Sequence, residues 1–139
     1  MAISYSSTLR TTRITAVLTA IEGTASAAGK LLLYNGTKSD VAGSTLLATI
    51  TLAHPSGTVS GNILTFNCSP VLTATVAAGA TATGKDATWA RITDSAGSQV
   101  ADLTVSNSSG SGDIKLSNVT LIAGGEVSIS SATITEGNA

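Results

Sequence analysis

The stretch Ala87-Thr88-Trp89-Ala90-Arg91-Ile92-Thr93-Asp94-Ser95-Ala96-Gly97-Ser98-Gln99-Val100-Ala101-Asp102-Leu103-Thr104-Val105 reads as strand, turn, strand. Residues 87–93 and 99–105 are short β segments, and Asp94-Ser95-Ala96-Gly97 has the composition of a β-turn. The same pattern continues in both directions. Upstream lie Lys30 to Tyr34 with the turn signal Asn35-Gly36, Leu46 to Leu52 stopped by His54-Pro55, Asn62 to Cys68, and Val71 to Val76. Downstream lie Ile114 to Leu116, Val119 to Ile122, and Val127 to Thr135, with Gly124-Gly125 as a turn. About eight short strands at regular spacing predict a mostly β fold, a two-sheet antiparallel sandwich or jelly roll.

One segment departs from this pattern. In Ser7 to Glu22, residues Ile14, Val17, Leu18 and Ile21 recur at helical spacing, Ser7 can cap the start, and Gly23 is a stop. Threonine and β-branched residues crowd the segment, so a strand with Ile14, Ala16, Leu18 and Ala20 on one face is the competing reading. The charges run against a helix dipole, with Arg10 and Arg13 near its positive end and Glu22 at its negative end. On a helix the two arginines are expected on a face apart from Val17 and Ile21, where carboxylates of a neighbouring subunit can meet them; pairing within the chain, with Asp40 or Glu136, is the alternative. Thr24 to Gly29 reads as a small-residue linker. The expected organisation is one domain over residues 1–139: an arm and helix at 1–23, a sandwich at 30–135 and a tail at 136–139.

Charged residues make up 11% of the 139-residue chain, and the net charge is −1; ordinary soluble domains carry roughly 25%. That argues against a nucleic-acid partner, which demands clustered lysine and arginine. No run of ~18 apolar residues predicts a membrane span. The N-terminus lacks the basic start and apolar run of a signal peptide, so assembly in a cytoplasm is the expectation. Serine and threonine fill the polar positions, and hydroxyls desolvate more cheaply than ions. Such a surface suits burial against other subunits.

A search for chemistry finds little. His54 is the single histidine and Cys68 the single cysteine, too few for a zinc site and unable to form an internal disulfide. His54 reads as a solvated turn residue and Cys68 as a buried, inert thiol. The carboxylates follow no calcium-loop spacing, although Asp94 and Asp102 can meet across a hairpin. Gly79-Ala80-Thr81-Ala82-Thr83-Gly84-Lys85-Asp86 nearly matches a phosphate-binding loop, but Asp86 stands where the magnesium-holding hydroxyl belongs, and a strand is expected to follow instead of a helix. The reading is a non-enzyme with no cofactor and no metal.

Several stretches in order carry a resemblance: Leu9-Arg10 through Ile21, Gly29-Lys30-Leu31 with Tyr34-Asn35-Gly36-Thr37, Thr45-Leu46-Leu47-Ala48, Gly61-Asn62-Ile63-Leu64-Thr65-Phe66-Asn67, Thr88-Trp89-Ala90-Arg91-Ile92 with Asp94-Ser95-Ala96-Gly97, and Ile134-Thr135-Glu136-Gly137-Asn138. Across nearly its whole length the chain resembles a family of small virion structural proteins of tailed bacteriophages. It departs at Ala90, where an aromatic is expected beside Trp89. The resemblance implies a capsid decoration or cement protein on the outside of the head. Its partners would be the major capsid protein and copies of itself, as a dimer or trimer. Tyr5, Arg10, Arg13 and Trp89 are the expected partner-contacting residues. A tail or connector protein, and a carbohydrate- or receptor-binding sandwich on the virion surface, are the alternatives; the second is disfavoured by the scarcity of aromatic residues.

Overall fold

Alternation of small polar and apolar side chains sets the strands, and three register shifts decide where that alternation resets. The computed structural model describes residues 3–23 and 27–137. One helix, α1 (Ser7–Glu22), precedes eleven strands. They are β1 (Lys30–Asn35), β2 (Thr45–Thr51), β3 (Gly57–Ser60), β4 (Ile63–Phe66), β5 (Leu72–Thr75), β6 (Lys85–Asp86), β7 (Trp89–Thr93), β8 (Gln99–Asn107), β9 (Ile114–Leu116), β10 (Thr120–Leu121) and β11 (Glu126–Thr135). The mostly β fold with an N-terminal helix agrees with the sequence reading. The expected linker falls partly on residues 24–26, and the expected arm and tail end on residues 1–2 and 138–139, all outside the described residues.

The strands form one hydrogen-bonded path, β2-β1-β7-β8-β9-β11-β4-β3, with β5 also paired to β11; β6 and β10 make a separate pair. The path curls, so that β2 near one end packs against β5. Leu33, Leu47, Ile50, Leu64, Ile92, Leu116 and Ile129 fill the shared interior, each at most 1% exposed. The two-sheet expectation is thus realised as a single curled sheet. The strand at Gly57–Ser60 lacks apolar alternation and was not foreseen.

In β2 the register shifts opposite Leu33/Tyr34, so Leu47 and Ala48 are both buried. In β11 it shifts between Ile129 and Ser131. Val127 and Ile129 point inward before the shift and Ala132 after it, with Ser130 as the extra residue. Bulges bend a strand and re-aim side chains.

The β8–β9 pair is parallel, although only residues 108–113 separate the two strands. Parallel strands ordinarily need a long crossover. Here Gly112 permits the reversal, since a Cβ there would lie 2.6 Å from Ser106 N and 2.7 Å from the Val105 carbonyl carbon.

Helix α1 is capped by Ser6, whose hydroxyl accepts from Leu9 N at 3.2 Å, and not by Ser7 as expected. Ile14 and Ile21 are fully buried, and the helix packs on β3, β4 and β8. Thr11, Thr12, Thr15 and Thr19 each donate to the carbonyl four residues earlier. Such bonds satisfy the hydroxyls locally while doing little for helix stability, so docking of the apolar stripe sustains the helix.

Candidate interaction surface

The residues expected to meet a partner are largely engaged inside the chain. Arg13 Nη1 lies 2.8 Å from Glu136 Oε1, just past the end of β11. Its guanidinium also sits 4.8 Å from the centre of the half-buried Tyr5 ring. The intramolecular alternative therefore describes Arg13. Arg10 corrects a second expectation. It lies seven residues before Val17, two turns of helix, and so shares the stripe of Ile14, Val17 and Ile21 instead of a separate face. Its Nε is buried without a hydrogen-bond partner among the described residues.

Trp89 corrects a third: it is 0% exposed, so in this chain its ring has no surface to offer a partner. The ring stacks on Tyr34 with centroids 4.5 Å apart, and its Nε1 donates to Ser44 Oγ at 3.1 Å. Ser44 ends the connection between β1 and β2, which runs over residues 36–44 and is longer than the tight turn that Asn35-Gly36 suggested. Beside this stack, Arg91 grips Asp102 through two bonds, Nε to Oδ1 at 2.7 Å and Nη2 to Oδ2 at 2.8 Å. The Arg91 guanidinium, aided by Ser39, holds the Asp102 carboxyl below the usual aspartate value against a smaller opposing effect of burial. Asp94 is engaged elsewhere, accepting from Ala96 N and Ser98 N, so Asp94 and Asp102 do not form a pair.

The backward charge at the helix end also finds its partners. Glu22 Oε2 lies 2.6 Å from His54 Nδ1, and Glu22 Oε1 accepts from Ser56 N. His54 is therefore tied to the helix instead of freely solvated. The arrangement orients an imidazole through a carboxylate, and no hydroxyl or thiol of the described residues hydrogen-bonds its other nitrogen. The loop that nearly matched a phosphate cradle ends in β6, which pairs with β10; Lys85 Nζ reaches Thr45 Oγ1 at 3.4 Å. No group of three metal-ligating side chains occurs among the described residues. None of the described helices is long and apolar enough to cross a membrane.

What remains exposed is mostly uncharged. Ile3, Leu9, Val71 and Ile122 are between 42% and 56% exposed. An open cavity of about 530 Å³ lies beside the β11 bulge, between Pro55 and Thr58 on one side and Asn67 to Ser69 on the other. Cys68 lines it and is half-buried; burial pushes its thiol up, against a smaller pull from the Ala132 backbone. The sequence had pointed to a strand around Cys68 and gave no sign of this groove. Compared with family models, with curated proteins and with solved structures, the chain finds no match.

Proposed function

We propose that the chain is a structural subunit of a tailed-phage virion, a decoration or cement protein that docks on the outside of the head and clamps neighbouring major capsid subunits. One observation supports this reading: charge is sparse, and much of what the chain carries is engaged within the fold. Arg13 pairs with Glu136, Arg91 with Asp102, and Glu22 with His54 and the Ser56 amide. Asp113 binds Thr104, and Lys115 donates to the Gly110 carbonyl. The surface left over is hydroxyl-bearing and apolar, and it desolvates cheaply. Depletion of charge is what distinguishes the centre of a protein interface from the remaining surface. Repetition over a shell multiplies a modest contact of this kind into a large total. The whole-length resemblance supplies the partner.

The test is the protein composition of particles from the phage that encodes the chain. A copy number comparable to the major capsid protein is expected. A handful of copies would reassign it to the tail or connector, and absence from particles would overturn the reading.

A further inference from the structure

The groove over the Ser130 bulge has a chemistry of its own. On the side of β11 that faces β4 and β5, Thr133–Thr135 pair with β4 and Glu126–Ile129 pair with β5. Residues 130–132 have no strand partner on that side, because the chain between β4 and β5 leaves the ladder through Asn67, Cys68, Ser69 and Pro70, with the Cys68 thiol hydrogen-bonded to the Ala132 backbone. Pro70 has no N–H to give a ladder. Ser130, in this gap, lines the cavity of about 530 Å³, within the roughly 300–1,000 Å³ of small-ligand sites.

No charged side chain lines it. An anion or cation would find no counter-charge, and the nearby Glu22 and His54 are closed on each other. The lining presents four hydroxyls, on Thr58, Thr65, Ser69 and Ser130, none of which bonds to another described residue. Each can donate and accept. Asn67 spends its carbonyl on Ser69 N at 3.3 Å, which leaves its amide donors available. Pro55, which is exposed, adds a small apolar patch. Hydroxyls that both donate and accept, a free amide and a small apolar patch match the alternating C–H and O–H groups of a sugar ring. With Tyr34, Phe66 and Trp89 all buried, recognition would rest on these polar groups and not on an aromatic platform, which fits weak binding.

We propose that this groove binds a neutral saccharide. The site goes beyond the docking reading and does not depend on it, since the groove is complete within one chain.

Saturation-transfer NMR on the full chain tests it, with maltotriose, mannotriose, galactotriose and chitotriose as probes and a neutral Ser/Thr/Ala peptide as comparator. At least one saccharide should show transfer, with Kd on the order of 1 mM. Ser130→Arg, which drives a long cation into the groove, should abolish transfer while leaving the far-UV spectrum unchanged; Thr58→Gln is the second variant should that chain fail to fold. Cys68 gives an independent readout as the chain's single thiol. Its alkylation by iodoacetamide should slow about tenfold at a saccharide concentration ten times Kd. No transfer from any of the four probes at ~20 mM, about twenty times the expected Kd, overturns the proposal. So does transfer that persists in the groove variants without protecting Cys68, which places binding elsewhere. Protection by the peptide alone makes the groove a peptide site and also overturns it.

Discussion

Trp89 lies flat on Tyr34, ring planes 13° apart, on the opposite side of the sheet from the interior cluster. Their strand neighbours Ala90 and Leu33 belong to that cluster, and successive side chains point to opposite faces. The connection over residues 36–44 supplies Ser44 to the indole N–H, making a small second core outside the first. Trp89→Ala is expected to cost about 3–5 kcal/mol, in line with other buried aromatic truncations. Trp89→Phe retains a stack and loses one hydrogen bond, at a cost of about 1 kcal/mol from that bond. Urea unfolding measures both, and an unchanged midpoint for Trp89→Ala would contradict the second core.

Arg91 and Asp102 face each other in register across β7 and β8. The Asp102 side chain is 6% exposed. Because the folded protein lowers the Asp102 pKa, the stabilisation it gives is complete above the ordinary aspartate range. It is lost as pH falls through the lowered folded value. Asp102→Asn should therefore cost roughly 1–3 kcal/mol at pH ~7. The gap from the parent protein should narrow as pH falls below the ordinary aspartate range. A gap that stays constant with pH would show that the guanidinium does not hold the carboxylate.

Glu22 accepts from the backbone of Ser56, which is 1% exposed, and also pairs with His54, whose side chain is 41% exposed. The first bond is the costlier to lose, because it leaves a buried N–H without a partner. Glu22→Ala is expected to cost roughly 1–3 kcal/mol. His54→Ala is expected to cost roughly 0–1 kcal/mol. Equal losses from the two variants would mean that the imidazole, not the amide, fastens the helix.

The two arginines of α1 separate in the same way. Arg13→Ala breaks an ion pair whose arginine side chain is 46% exposed, and should cost no more than about 1 kcal/mol. Arg10 brings a buried, unpartnered Nε onto the apolar stripe. Arg10→Met keeps the aliphatic stem and removes that donor, so stability should hold or rise by up to ~1 kcal/mol. Ile14→Ala, at the centre of the stripe, should cost about 2–5 kcal/mol. A melting series over the three variants gives the order, and a large loss for Arg10→Met would show that its guanidinium has a partner within the fold.

Strand positions were legible wherever apolar side chains alternate, as in Ile63 to Phe66, and the helix was legible from Ile14, Val17, Leu18 and Ile21. β3 was not, since the favourable pair Thr58-Val59 is flanked by Gly57 and Ser60 and is too short to signal a strand before it pairs with β4. Trp89 was expected at a partner contact, but its side of the sheet depends on a connection whose path no local pattern encodes. The groove was invisible for a related reason. It arises from the bulge at Ser130 and the excursion at Asn67 to Pro70, segments far apart in sequence that meet only once β11 has paired.

The docking reading makes a prediction that the charge arrangement sharpens. Screening acts on charges, with a Debye length of about 10 Å at 0.1 M salt and about 3 Å at 1 M. Arg13, Arg91, Glu22, Asp102 and Glu136 are paired inside the chain, and the remaining charged side chains are of both signs, with a net charge of only −1 over the whole chain, so no strong single-sign field is left to attract a shell. On the docking reading, association rests mainly on apolar side chains such as Val71 and Ile122, each 51% exposed, and on uncharged hydroxyls. Occupancy of the protein on stripped particles should change by less than about threefold between ~50 and ~500 mM salt. Self-association of the free protein, expected as a dimer before a trimer because two-fold contacts are commonest, should be equally indifferent. Titration on particles and sedimentation of the free chain measure the two. Attachment that collapses across that range would mean that ions such as Lys30 or Glu126 make the contact, and the neutral-surface account would fail with it.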